Sequence, residues 1–310
     1  MKTARKMERL TPEWKNYELL DSGGGRKLER FGEFTLIRPE AQAKWAAALP
    51  ATRWDAAHAE FVKQQEERGE WKLRKAMPER WAMKRKALKF WVQPAPSGHV
   101  GVFPDQACHW DWIAEVTRSA GRQVKVLSLF AHTGLATLAA AAAGAEVTHV
   151  DASRKAVSRA RENQKLSELG ERPIRWIVDD ALTFVKREAR RGNRYDAMML
   201  DPPVFGRGPD GEIWKLDESL PELLDACLVL LSESPVFVLL NVYTTVVTRG
   251  RTAQDVERLR SWTEDLLRAF QMSVSSGELR IEDTARRRIC TSVFARARPN
   301  VARHTSSASQ

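Results

Sequence analysis

The chain has 310 residues, 50 of them Lys or Arg against 40 Asp or Glu, which gives a formal charge of +10. Its apolar share of 43% and charged share of 29% sit near globular averages and exclude a mainly disordered, collagenous or disulfide-stapled chain. The length accommodates one large domain or two.

No run approaches the roughly 20 apolar residues of a membrane helix. The basic start MKTARKMERLTPEW has no apolar segment behind it, so neither a membrane partner nor a secretory signal is expected. Cys108, Cys227 and Cys290 lie far apart and form no CxxC pair, which points to a reducing cytoplasm. The six histidines show no ligand spacing, so no metal is expected.

The charge is uneven. Residues 1–95 hold 21 Lys and Arg against 13 Asp and Glu, net +8 of the total +10, and eight of the eleven tryptophans precede residue 113. Cations mixed with flat rings suit a polyanion with exposed bases, because Lys and Arg neutralise phosphates while rings stack on unpaired bases. The competing reading puts the tryptophans in a core and the charges on a solvated surface.

Residues 1–20 read as a loose lead-in docking through Trp14 and Tyr17. Apolar runs at 27–31 and 34–37, parted by Gly32 and preceded by glycines 23–25, predict β-hairpins. Stretches 40–48 and 55–67 read as short helical or irregular pieces, and 71–73 and 88–92 as strands. The turn-rich PAPSGHVG at 94–101 marks the expected boundary between a small basic, Trp-rich, β-containing domain over 1–97 and a larger one over 98–297. From residue 123 apolar runs at 124–130, 146–150, 174–178, 195–200 and 236–241 alternate with helical patterns at 134–143, 153–169, 181–191, 217–231 and 252–270. Such alternation predicts an α/β fold with a doubly wound, mostly parallel sheet covered on both faces. Strands at 273–281 and 289–297, joined by EDTARRR, close as a hairpin, and 298–310 reads as a disordered tail.

Ligands of such a sheet bind beyond the carboxyl ends of its strands. The first strand ends in FAHTG, where Phe130, Ala131, His132, Thr133 and Gly134 form a tight strand-to-helix turn. It lacks GxGxxG, which suits a ligand without phosphates better than a dinucleotide. The second ends in VDAS, where Asp151, followed by Ala152 and Ser153, is placed to accept hydrogen bonds from two ribose hydroxyls. The third ends in VDDA, setting Asp179, Asp180 and Ala181 toward an adenine edge or at the cap of the next helix. The fourth ends in DPPVF: Pro202 and Pro203 hold Asp201 on a rigid extended backbone, and Phe205 adds a ring. A fixed acceptor beside an aromatic face suits a planar base; the plain alternative is that DPP only stops a strand.

Taken together, these motifs resemble a class I S-adenosylmethionine-dependent methyltransferase over 124–297, whose terminal hairpin distinguishes it from NAD-binding relatives. GHVGVFPDQACHW, LFAHTG, ARENQKLSEL and DPPVF, with LLDSGGGRKLERFGEFTLIRPEAQAKW ahead of them, resemble more narrowly the large-subunit (23S) ribosomal RNA methyltransferases that modify cytosine C5 or guanine, without the PUA domain of longer relatives. The resemblance implies a Rossmann-like seven-stranded sheet with a small β-rich domain in front, S-adenosylmethionine as cofactor with S-adenosylhomocysteine as product, and RNA, ribosomal above all, as partner. It sets residues 130–134 along the methionine portion, Asp151 with Ala152 and Ser153 at the ribose, and Asp179, Asp180 and Ala181 at the adenine. Phe103 and Gln106 would close over the cofactor, Asp201, Pro202, Pro203 and Phe205 would form the acceptor site, and Asn163 would brace the loops.

Cytosine C5 is methylated only after a cysteine thiolate adds to C6. In the cytosine-modifying members that cysteine follows the fifth strand, where this chain has NVYTT at 241–245. A nitrogen already carries a lone pair and needs only alignment, so N-methylation is expected. RNA contact would rest on the basic front third and on Arg286, Arg287 and Arg288. Two other readings stand beside it: a non-catalytic RNA-binding or assembly protein on this fold, and a methyltransferase acting on a small molecule or a protein.

Overall fold

The computed structural model describes residues 8–64, 69–244 and 253–300; the expected disordered tail beyond residue 300 and the last residue of NVYTT lie outside them. The front sheet contains β2 (Tyr17–Gly23), β3 (Arg26–Phe31), β4 (Phe34–Pro39), β5 (Ala59–Lys63) and β6 (Gly69–Leu73) in that order. The β2–β3 and β3–β4 hairpins turn through Gly24, Gly25 and Gly32, all at positive φ, as their glycines require. A short helix, α1 (Ala51–Asp55), precedes β5. Residues 59–63 are therefore a strand, not helical or irregular, because AEFVK pairs on both sides between β4 and β6. The lead-in is likewise more ordered than expected: β2 begins at Tyr17, and β1 (Glu8–Leu10) joins the other sheet. A separate hairpin, β7 (Trp81–Arg85) and β8 (Leu88–Val92), follows.

After the helix α2 (Ala107–Ser119) the chain alternates strictly: β9 (Lys125–Leu129), α3 (Leu135–Ala142), β10 (Glu146–Asp151), α4 (Arg154–Leu166), β11 (Ile174–Val178), α5 (Ala181–Arg190) and β12 (Ala197–Leu200). A small hairpin, β13 (Phe205–Arg207) and β14 (Ile213–Lys215), precedes α6 (Leu216–Leu230), β15 (Phe237–Tyr243), α7 (Ala253–Arg268), β16 (Ser273–Glu282) and β17 (Arg288–Arg298). The large sheet runs β1-β16-β17-β15-β12-β9-β10-β11, seven strands of a doubly wound sheet plus the short β1. Strands β15, β12, β9, β10 and β11 are parallel, and β17 is antiparallel to both β15 and β16.

Side-chain alternation explains why both faces are covered. Val126, Met199 and Leu239 turn toward Ile113, Ala140 and Ala141 of α2 and α3. Leu127, Met198, Leu200 and Leu240 turn toward Phe184, Leu220, Leu223 and Leu259 of α5, α6 and α7. A third cluster joins the front sheet to this one: Tyr17, Phe31, Leu36 and Phe90 pack with Trp110, Leu138 and Ile289.

Two sets of residues expected to meet RNA are engaged in the fold. None of the eight tryptophans before residue 113 is exposed, and Trp54, Trp81 and Trp110 are buried, so those three rings stabilise packing. Arg287 pairs with Asp21 and Asp283, and Arg286 and Arg288 both pair with Glu282. These arginines latch the β16–β17 turn to itself and to β2.

Candidate active site

The turn after β9 is unusual in its backbone. Phe130, His132 and Gly134 take φ of +53°, +47° and +84°, and for the two non-glycines this costs on the order of 1–3 kcal/mol each. Neighbouring groups hold it in place. Asp151 Oδ2 accepts from the His132 amide at 2.8 Å, and the Thr133 hydroxyl donates to the Gly101 carbonyl at 2.6 Å. Asn163 on α4 donates to the Thr133 carbonyl and accepts from the Trp91 amide, both at 2.9 Å, which is the bracing role expected of it. A Cβ on Gly134 would come within 2.8 Å of the Ala160 Cβ, so only glycine lets this turn meet α4 so closely.

A cleft of about 560 Å³ opens at the carboxyl ends of β9, β10, β11 and β12, lined by Phe103, Phe130, His132, Asp151, Ala152, Ser153, Asp179, Asp180, Ala181, Asp201, Pro203, Trp214 and Tyr243, among others. A smaller cavity of about 60 Å³ shares Phe103, Phe130, His132 and Asp201 with it and adds Gln106, Ala131, Thr133 and Gly134. Every residue expected around the cofactor thus lies on one of the two walls. Pro202 lines neither, and Phe205, expected against the acceptor base, is 47% exposed and lines neither.

The acids differ in what occupies them. Asp180 caps α5, accepting from the Thr183 amide at 2.8 Å, so the capping alternative holds there. Asp179 pairs with Arg187. Asp151 accepts one backbone N–H on each oxygen, from His132 and from Ser153 at 2.8 Å, and keeps a lone pair on each for further donors. Burial raises its carboxyl above the ordinary value, against those two hydrogen bonds.

Asp201 lies just past β12 and is held by three neutral donors. Its Oδ1 accepts from Asn241 at 2.7 Å and from Gln106 at 3.2 Å, and its Oδ2 accepts from the Tyr243 hydroxyl at 2.9 Å. Burial, with a smaller push from the nearby Asp105 carboxylate, outweighs the three hydrogen bonds and takes this carboxyl from 3.8 up to about 7. The site therefore holds an acid that titrates near neutrality. Asn241 and Tyr243 were not expected; they sit in a strand that reads as apolar, FVLLNVY, and the sheet order alone brings them beside Asp201. Trp214, 4.6 Å from the Phe130 ring, was equally hidden.

The lining suits a cationic nucleoside. Asp151, Asp180 and Asp201 face the cleft, as does Asp179 with its partner Arg187, and Arg207 is the one guanidinium in the lining. Burial lowers His132 and His99 to about 4, so both imidazoles are neutral at physiological pH and repel no positive charge. The volume is that of an ordinary small-molecule site. Asp151 would hold ribose hydroxyls, and the free N–H groups at the start of α5, beginning with Ala181, would meet an adenine edge.

Comparison with known proteins agrees with this geometry. A family model described as S-adenosylmethionine-dependent methyltransferase matches residues 34–234. A crystal structure titled as the SAM-dependent methyltransferase from Agrobacterium tumefaciens superposes with a TM-score of 0.87 at 39% identity, covering 96% of this chain and 95% of that one. The ribosomal RNA large subunit methyltransferase K/L of Hahella chejuensis is 32% identical over 48% of this chain, and the ribosomal RNA large subunit methyltransferase I of Aeromonas salmonicida 30% identical over 42%. Those matches span only 20% and 30% of the relatives' own lengths. With a match over most of its length, this chain belongs to the S-adenosylmethionine-dependent methyltransferase family.

Proposed function

We propose that this protein transfers a methyl group from S-adenosylmethionine to a nitrogen of a base in RNA, large-subunit ribosomal RNA being the substrate class. The observation that carries the reading is Asp201: a carboxyl titrating near 7, fixed by Asn241, Gln106 and Tyr243 at the edge of the cleft. The bound cofactor supplies an activated methyl group on a sulfonium that leaves as a neutral thioether. The acceptor nitrogen gives its lone pair to that methyl and loses a proton, which the ionised Asp201 takes. A base of this strength is matched to neutral pH, and its three donors hold it in line, so rate comes from alignment.

Nitrogen is favoured over cytosine C5 by the thiols. Burial raises Cys108 to about 11 and Cys227 to about 12, the Cys290 thiol points to the Ser292 carbonyl at 3.7 Å, and none of the three lines either cavity. RNA is favoured by the +10 charge and by the similarity to ribosomal RNA large subunit methyltransferases. Residues 1–97 are proposed as the RNA-binding domain, acting through exposed cations such as Lys72, Lys75, Lys84 and Lys86. The cytoplasm is its proposed location; among the described residues no helix is long and apolar enough to cross a membrane.

The test is nucleoside mass spectrometry of ribosomal RNA from a strain lacking the gene. One methylated nucleoside should disappear and return when the gene is restored. An unchanged profile would sink the ribosomal assignment.

A further inference from the structure

The β13–β14 hairpin presents two unlike faces. Phe205 pairs across it with Lys215, Gly206 with Trp214, and Arg207 with Ile213, so Phe205, Arg207, Ile213 and Lys215 share one face while Gly206 and Trp214 share the other. The inner face is pinned. Trp214 is buried, its ring lies 4.6 Å from Phe130, and its indole N–H donates to the Pro203 carbonyl at 2.7 Å.

The outer face is bare. Phe205 and Ile213 are 47% and 59% exposed, with Val204 at 37% beside them. Of the five large apolar side chains exposed among the described residues, three therefore fall between 204 and 213, directly after Asp201. Cations flank them: Arg207 is exposed at the rim of the cleft, and Lys215 has Glu218 at 3.0 Å in a largely exposed pair, of a kind that is worth little and easily exchanged.

We infer that this outer face is a stacking platform for an unpaired RNA base adjoining the one that is methylated, with Phe205 as the stacking ring and Arg207 and Lys215 meeting the phosphates on either side. The inference rests on the RNA reading proposed above. Three apolar side chains are far too small for a protein interface, which needs about 800 Å² per partner, whereas a single base needs one ring and a nearby cation. Because the inner face is tied to Pro203 and Phe130, a base stacked outside is held at a fixed offset from Asp201. Its neighbour is thereby steered toward the cleft.

Binding of a fluorescein-labelled unstructured RNA of about 12 nucleotides, followed by anisotropy, tests this. Phe205→Ala should weaken binding by about 5- to 150-fold, the range measured for loss of one stacking ring, while Phe205→Trp stays near the parent and Phe205→Leu stays weak. Binding of S-adenosylhomocysteine and the thermal midpoint should not move in any of them, since Phe205 lines neither cavity. Arg207→Gln should flatten the dependence of log Kd on log salt by about 0.7. Parent-like affinity in Phe205→Ala, or full recovery in Phe205→Leu, overturns the platform while leaving the RNA reading intact. If the parent binds S-adenosylhomocysteine but no RNA, the RNA reading itself falls and the platform with it.

Discussion

Buried acids occur in both halves of this molecule, and they behave in opposite ways. In the front sheet, burial pushes Glu29 upward, but Arg38 grips it at 2.7 and 2.9 Å, with Lys27 and the Tyr17 hydroxyl adding to the effect, so its carboxyl ends below the ordinary value. For Asp21 burial is again the largest influence, and it is outweighed by the amides of Leu49, Ala48 and Ser22 with the Trp54 indole. At the strand ends of the large sheet, Asp151 and Asp201 accept only from neutral donors, and burial leaves both carboxyls above the ordinary value. A buried carboxylate with a full complement of donors holds a fold together; one left short of a cation is poised to move a proton.

The sharpest way to break it is Asp201→Asn. Methyl transfer should fall by about 10²- to 10⁴-fold in initial-rate measurements at saturating cofactor. For the parent, the rate should rise with pH through about 7 as Asp201 ionises. Stability should respond the other way. Between 3.8 and about 7 the folded chain binds more protons at Asp201 than the unfolded chain, so stability declines as pH rises through that window. Asn lacks that decline, and Asp201→Asn should be more stable than the parent at pH 8, by about 1–3 kcal/mol, and not at pH 3. A variant less stable at pH 8 would end the distinction between the two kinds of acid.

Arg38→Ala is the converse. It strands Glu29 in the interior and should cost about 3–5 kcal/mol in chemical denaturation, with the pH profile of the surviving activity unmoved. Tyr243→Phe removes one donor that favours the Asp201 anion. It should slow transfer by roughly tenfold, as expected for a hydrogen bond to a charged group, and shift the rising limb of the pH profile upward. Smallest of all, replacing Cys108, Cys227 and Cys290 together by Ala should leave the rate within about twofold, because nitrogen attack needs no thiolate. Abolition of activity in a triple variant that keeps the parent's thermal midpoint would count against nitrogen as the acceptor.

Much of the large sheet was legible because strand and helix alternate with clear punctuation, and its acids follow the strands at predictable places. Its catalytic surroundings were not. The Gln106–Asp201 contact spans 95 residues and Asn241–Asp201 spans 40; the β15–β12 pairing sets Asn241 beside Asp201, and Gln106 reaches it from the turn before α2. The front third conceals its packing for a different reason. It mixes tryptophans with cations, yet Trp54 and Trp81 are buried, and Arg85 is buried against Asp111. That pairing leaves β7, WAMKR, looking polar in sequence although alternate residues face a core. AEFVK was misread because its residues are tolerated in helices, and pairing with β4 and β6 overrides that tolerance.

The three residues of β1 have a bearing on how the protein survives in a crowded solution. Strand β16 would otherwise expose its backbone as a growth point for other chains, the usual origin of edge-to-edge polymerisation. Glu8–Leu10 lies along it, opposite Gly277 through Leu279, and approaches so closely that a Cβ on Gly277 would fall 2.4 Å from the Glu8 carbonyl oxygen. A side chain at 277 would push β1 away and uncover the β16 edge that it pairs with.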